Sequence, residues 1–301
     1  MATTPTCSVL SAAAAEPIGG SAVESTAVWI VLEHRGPWAA KAVRDCDLPD
    51  AVKQRLAEWE HALPGSRVQL ARRSGRCEGP LRLWLGVSDL GTPRLVEYVL
   101  PQVEALLEID APSVVAALRR GEPTIEGATE PRAPLVLVCT NGRRDVCCSV
   151  QGVPVARALE LESGLDVWQT THLGGHRFAA TLLQLPAGLC YGRVVPAEVP
   201  ALAQSMRQGR VGPLDRLRGR TALSGAEQAA EVLWRQRSGV HEVDALTQAR
   251  HESRGETVVV TLHDRAGQVH ELAVQHRELG VTAPPSCGKD PAPVAGWFPA
   301  G

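Results

Sequence analysis

Four side chains within residues 135–177 are suited to holding an inorganic centre. Cys139 and Cys148 stand with eight residues between them, and His172 and His176 with three. Two thiols and two imidazoles make a ligand set for a thiophilic metal or a small iron–sulfur cluster. Taken singly, each has a bland reading: a cysteine at a strand end packs, and a histidine near glycines caps or faces solvent. The combination of the two pairs points to a site.

The flanking sequence says how these residues are held. Residues 135–138 are an apolar run that reads as a buried strand, with Cys139 at its carboxyl end before Thr140, Asn141 and Gly142. In open α/β sheets, ligands bind in the loop after a strand's carboxyl end. A helix is expected over 150–161, confined by Gly152 and Pro154 to begin late. That places Cys148 near a helix N-terminus, where partial positive charge favours a thiolate. Residues 166–170 read as the next strand. Gly174 and Gly175 argue against a helix between the histidines, so His172 and His176 are expected on a tight glycine loop. Adjacent residues point in different directions, so only one of Cys147 and Cys148 should ligate. Cys7, Cys46, Cys77, Cys190 and Cys287 have no partner spacing and are expected to be structural.

Bulk properties exclude several function classes. The 301 residues suit roughly two domains. Lys plus Arg is 31 and Asp plus Glu is 33, a formal charge of −2. That balance offers no footprint for nucleic acid and no basic patch for a membrane. No apolar run approaches the ~18 residues of a spanning helix, and no basic, apolar leader opens the chain. A cytoplasmic location is expected, where thiols stay reduced. Eight cysteines there point to packing, metal or redox roles rather than a disulfide framework.

Taken in order, residues 1–20 read as a flexible tail. An N-terminal α/β unit is expected over 21–122, with strands at 28–33, 67–73, 81–87 and 95–100. Its helices are expected at 49–61 and over 103–119, the latter broken at Pro112. Residues 121–134, rich in proline, glycine and glutamate, form a linker. The second unit, 133–222, repeats the order strand, helix, strand, strand, strand, helix, with an antiparallel pair at 179–185 and 189–194 and a helix at 199–208. This is the element order of the thioredoxin fold. A small module, 223–301, follows. It has a helix at 224–237 with a capping-box spacing from Ser224 to Glu227, a second helix at 241–249, a hairpin at 256–263 and 269–274, and a Pro-rich tail from 284. The module reads as a winged-helix mimic or, with no basic face, an extension packed on the core.

The residues that carry the site resemble a known family. CTNGRRDVCCSVQGVPVARAL from Cys139 and HLGGHRFAATLLQLPAGLCYGRV from His172 are similar to the sucrase/ferredoxin-like family, the thioredoxin-like ferredoxins. The opening GSAVESTAVWIVLEHRGPWAAKAV and the closing QAAEVLWRQR and PPSCGK extend the resemblance over residues 18–298. It implies a thioredoxin-like ferredoxin domain preceded by a second, degenerate thioredoxin-like half, which shields or docks the first. It also implies one 2Fe-2S cluster with Cys139 and Cys148 on one side and His172 and His176 on the other. The eight-residue gap favours Cys148 over Cys147. Asn141 departs from the histidine that many relatives carry there and is not a ligand in this assignment.

The expected function is proton-coupled one-electron transfer with a redox protein partner, a reductase or an electron donor. Arg143, Arg144 and Arg177 would form its docking rim. No pair of carboxylates is placed for glycoside hydrolysis, so a carrier is expected rather than a catalyst. Three rivals remain. One is a structural zinc Cys2His2 site, against which the eight-residue cysteine gap counts. A cluster-based sensor is the second. A thiol–disulfide enzyme is the third, weakened by the absence of Cys-x-x-Cys.

Overall fold

The computed structural model describes residues 5–75 and 77–300. Residues 1–4 and 301, the ends of the two expected tails, lie outside the described residues. In the first half, helix α1 (Cys7–Ala13) precedes β1 (Val28–Glu33), α2 (Ala42–Asp45), α3 (Asp50–Ala62), β2 (Ser66–Arg72), β3 (Leu81–Val87), β4 (Arg94–Leu100) and α4 (Ala111–Arg120). A two-residue strand, β5 (Ala128–Thr129), lies in the linker. The second half holds β6 (Leu135–Cys139), α5 (Val146–Glu160), β7 (Asp166–Thr170), β8 (Leu182–Leu185), β9 (Leu189–Tyr191), α6 (Val199–Arg207) and β10 (Leu217–Arg220). Last come α7 (Gly225–Ser238), β11 (Leu246–Arg254), β12 (Thr257–Asp264), β13 (Val269–Ala283) and β14 (Ala292–Pro299).

The architecture is mixed α/β. One ten-stranded sheet runs β10-β9-β8-β6-β7-β2-β1-β3-β4-β5, and a separate antiparallel sheet runs β11-β12-β13-β14. Within the large sheet each half shows the thioredoxin-like order. β2 is parallel to β1 while β3 and β4 run antiparallel; β7 is parallel to β6 while β8 and β9 run antiparallel. The halves join where the carboxyl ends of β2 and β7 pair antiparallel, Ala71 with Thr170 and Arg72 with Gln169.

Strand alternation explains the cores. β1 and β6 are buried on both faces, as their continuous apolar runs require. Val28, Ile30 and Leu32 face one helical layer, and Val136 and Val138 face the other. The opposite parity, Trp29, Val31, Leu135, Leu137 and Cys139, meets in a shared core between the halves. Trp84 of β3 and Trp168 of β7 cross it edge to face at 4.8 Å.

Four expectations are corrected. Helix α5 begins at Val146, not at 150, because the Asp145 carboxylate accepts the Cys147 N–H as an N-cap. The tail over 1–20 contains α1, anchored by the buried Glu16, which accepts from Ser11 at 2.7 Å and Arg177 at 2.6 Å. No helix forms at 241–249; Leu246–Arg254 is a strand, paired along its length with β12. The tail from 284 carries β14, paired with β13 and burying Val294. One helix against four strands is not a winged helix, and the module is an extension packed on the core. The capping box at Ser224 and Glu227 is present as expected.

A buried ionic network docks that module. Glu231 of α7 accepts from Arg220 of β10 at 2.8 Å and from Arg235 at 3.0 Å. All three side chains are at most 3% exposed. Burial pushes the Glu231 carboxyl up, but the two guanidiniums outweigh it and hold it below its ordinary value of 4.5. A depressed carboxylate stabilises the fold above its ordinary value, and that contribution is lost as pH falls through the folded value. Glu231→Gln leaves two buried cations uncompensated and should cost about 3–5 kcal/mol in urea denaturation. The loss of stability on acidification below pH 4.5 should be correspondingly shallower in that variant than in wild type.

Candidate metal centre

β6 and β7 are parallel neighbours, with Cys139 opposite Thr170, so their carboxyl ends lie side by side. Cys139 ends β6, Cys148 occupies the first turn of α5, and His172 follows β7 directly. Ligand atoms of Cys139, Cys148 and His172 all lie within 4.8 Å of one another. Both cysteines are 1% exposed, and Cys148 Sγ stands 3.7 Å from His172 Nδ1. His176 opens the short 3₁₀ turn His176–Phe178 and stands beside His172, ring centroids 5.1 Å apart, but outside that tight group. Its Nε2 is 2.9 Å from the Pro285 carbonyl, while its Nδ1 is buried without a hydrogen-bond partner. A donor at Nε2 fixes the tautomer with an unprotonated Nδ1, the state a metal needs.

The glycines between the histidines have a physical reason. Gly174 and Gly175 have φ of 93° and 66°, in the left-handed region. A Cβ at Gly175 would lie 2.3 Å from the Arg218 guanidinium. Two buried arginines grip this loop by its carbonyls. Arg67 of β2 donates to His172 at 2.7 Å and Leu173 at 3.3 Å, and Arg218 of β10 donates to Gly174 at 2.9 Å. Arg218 also donates to the Ser21 carbonyl and to Cys190 Sγ at 3.5 Å. Burial lowers the pKa of both arginines, and the charge of Cys139 opposes that in each. Nothing in the linear chain marks these two residues, because their partners are backbone atoms far along it.

The hydrogen bond from Cys148 brings Cys139 well below the ordinary thiol range despite burial, with His172 helping. The same bond, with burial, raises Cys148. Burial lowers His176, against the upward pull of Asp145. Asn141 anchors the loop after β6 to the first half, donating to the Ala39 carbonyl at 3.1 Å. A cleft of about 340 Å³ opens beside His172, with Lys41, Glu60, Asn141 and Arg144 on its walls.

The other cysteines divide. Cys46 donates to the Val43 carbonyl at 3.1 Å, Cys190 is fully buried, and neither joins a metal-ligating group among the described residues. Cys7 and Cys287, expected to be structural, instead meet Asp145 and Cys147, the cysteine passed over in favour of Cys148, in a second group. Of the expected docking rim, Arg143 and Arg144 are exposed, whereas Arg177 is taken by Glu16. Among the described residues no helix is long and apolar enough to cross a membrane.

Fold and site together define an α/β protein of doubled thioredoxin-like topology with two buried thiols beside two half-buried imidazoles. Its sequence matches the model of the sucrase/ferredoxin-like family over residues 19–219, and the chain belongs to that family. A curated relative, altered inheritance of mitochondria protein 32 of Meyerozyma guilliermondii, is 33% identical over 95 residues, covering 28% of this chain. The match spans about a third of that relative's length, 34%. A thioredoxin-like 2Fe-2S ferredoxin from Aquifex aeolicus is 17% identical over 26% of this chain and 84% of its own, with a TM-score of 0.24. The topology of the fold stands on the strand order described above.

Gly152 is where the centre meets the scaffold. A Cβ there would lie 2.1 Å from the Cys139 carbonyl oxygen, a backbone atom with no freedom to swing away. Alanine in place of a helical glycine ordinarily gains about 1 kcal/mol. Here overpacking should win, for a net loss of about 1–3 kcal/mol by denaturant titration. Unchanged or raised stability in Gly152→Ala would mean that β6 and α5 pack less closely.

Proposed function

We propose that Cys139, Cys148, His172 and His176 hold a 2Fe-2S cluster and that the protein carries single electrons between redox partners. The observation that supports this most is convergence. Two buried thiols and His172 meet at one point, while the neighbouring His176 keeps a buried, unpartnered Nδ1. The two histidine rings lie side by side, centroids 5.1 Å apart, so the fourth donor stands next to the third.

The donor chemistry fits as well. Two thiolates balance a dicationic oxidised core, and two neutral imidazoles add no charge. When bound, such a cluster supplies a one-electron couple at about −150 to +300 mV, against about −400 mV for all-cysteine plant-type centres. The chain's own groups set its surroundings. Arg67 and Arg218 place two buried cations under the histidine loop, which favours added negative charge. The Pro285 carbonyl faces His176 Nε2, so that nitrogen holds its proton at a defined position. The cleft beside His172, with Arg144 on its rim, is the shortest approach for a partner. Exposed Arg143 and Arg144 would meet an acidic surface there.

A single zinc ion is the second reading, favoured by three ligand atoms lying within 4.8 Å of one another. Anaerobic purification with iron, sulfide and zinc analysis, and electron paramagnetic resonance of the reduced protein, separate the two. Two irons and two sulfides per chain are expected. The midpoint potential should be flat at low pH and then fall by up to about 59 mV per pH unit for each coupled proton. The sign follows because raising the pH removes a proton held more tightly in the reduced state. A pH-independent potential would rule out histidine ligation, and zinc in place of iron at these four residues would sink the cluster. Charge reversal at Arg143 and Arg144 should slow reduction by an acidic reductase, most at low ionic strength; equal rates at every salt concentration would move the docking surface elsewhere.

A further inference from the structure

The second sulfur group shares the first turn of α5 with the centre just described but none of its ligands. Cys7 opens α1, Cys147 lies in the first turn of α5, and Cys287 lies in the loop between β13 and β14. Their Sγ atoms form a near-equilateral triangle, 3.4 Å from Cys7 to Cys147, 3.3 Å from Cys147 to Cys287 and 3.5 Å from Cys287 to Cys7. Cys7 and Cys147 are at most 1% exposed, Cys287 is half-buried, and none is in a disulfide. Asp145 stands beside them, its Oδ1 3.9 Å from Cys7 Sγ.

We propose that Cys7, Cys147 and Cys287, completed by Asp145, form a zinc site that staples both ends of the chain to the start of α5. Sulfur spacing is the first argument. Tetrahedral zinc with Zn–S of about 2.3 Å sets its sulfurs roughly 3.8 Å apart, so the triangle needs to widen by only a few tenths of an ångström. A disulfide needs about 2.05 Å between one pair, and a triangle this regular singles out no pair. Ligand chemistry is the second argument. Three thiolates recur in the Cys3His structural zinc sites, and a carboxylate oxygen is an accepted zinc ligand.

Asp145 is held as a ligand would be. Oδ2 accepts from the Cys287 N–H and the Ser286 hydroxyl, each at 2.9 Å, while Oδ1 accepts the Cys147 N–H at 2.9 Å and faces the Cys7 thiol at 3.9 Å. Once Cys7 is a thiolate, Oδ1 has a lone pair to offer on the sulfur side. The Cys7 N–H points at Cys287 Sγ at 3.4 Å, the kind of backbone donor that steadies a bound thiolate.

The site is distinct from its neighbour although Cys147 and Cys148 are adjacent. Successive helical residues project roughly 100° apart around the axis, so one sulfur faces the strand ends and the other faces α1. Closing the staple fixes the loop that holds Pro285, whose carbonyl sits on His176, and fixes α1, whose following residues carry Glu16 to Arg177. The proposal does not depend on what Cys139 and Cys148 bind.

Full-length protein purified under reducing conditions, with zinc counted by mass spectrometry, tests it. About one zinc per chain is expected. Cys7→Ser, Cys147→Ser and Cys287→Ser should each lower zinc content by roughly tenfold or more, while Cys77→Ser leaves it unchanged. Cobalt(II) in place of zinc should show thiolate charge-transfer and tetrahedral visible bands that Cys287→Ser abolishes. Should the serine variants fail to fold, mercurial titration of native wild type should release the zinc to a chromogenic chelator in one step. Three free thiols without zinc, a chain lighter by two hydrogens from a disulfide, or zinc retained in all three variants would each overturn the proposal. Zinc that Cys287→Ser removes, with no iron present, would sink the cluster reading and leave this one standing; iron without zinc would do the reverse.

Discussion

Two buried guanidiniums under a glycine loop set the terms for the centre. Arg67 and Arg218 are largely removed from water, and an uncompensated buried cation costs several kcal/mol. Their compensation comes from the carbonyls of His172, Leu173 and Gly174 and from the sulfur atoms of Cys139 and Cys190 nearby. The dependence runs both ways. The loop keeps a glycine at 175 because Arg218 occupies the space a side chain there would need. Arg67 comes from one half of the sheet and Arg218 from the other, so the loop can be shaped only where the halves meet.

That meeting point gives the doubled fold a purpose. The pairing of β2 with β7 is short, two residue pairs, and falls at the carboxyl ends of both strands. It brings the first half's Arg67, Ala39 and Leu70 against the loops of the second. The first half carries no sulfur and imidazole group of its own among the described residues. Its contribution is hydrogen-bond donors and acceptors for the other half's loops, together with Trp29 and Trp84 in the core behind the sulfurs.

The C-terminal module reaches the same place from the opposite side. The Arg220, Glu231 and Arg235 network fixes α7 on β10, and the β13–β14 loop then extends to the start of α5. There Cys287 meets Cys147 and Pro285 meets His176. Two sulfur groups thus sit back to back across one helical turn, one facing the sheet seam and one facing the two ends of the chain. Asp145 serves this turn as helix cap and as acceptor for the incoming loop. Burial raises its carboxyl, but N–H donors from Cys287 and Cys147 and the Ser286 hydroxyl bring it to about 2.

Much of this was legible in the linear chain. The uninterrupted apolar runs of β1 and β6 marked strands buried on both faces, and Ser224 with Glu227 marked the start of α7. The spacing of Cys139 and Cys148 around one strand–helix loop, and of His172 and His176 around two glycines, marked the candidate centre, because each pair is fixed by local geometry. The start of α5 was misread because Gly152 and Pro154 look like breakers. Yet Gly152 answers a close approach by Cys139, and Asp145 caps four residues earlier than the apolar pattern shows. Strand β11 is largely exposed and β14 mostly half-buried, and both carry little pattern of their own; their partners, met only after folding, define them. Cys7, Cys147 and Cys287 are 140 residues apart at each step. No spacing rule reaches across that distance. Which sulfurs meet is decided by which faces of two sheets must be buried together, and that is a property of the packed molecule alone.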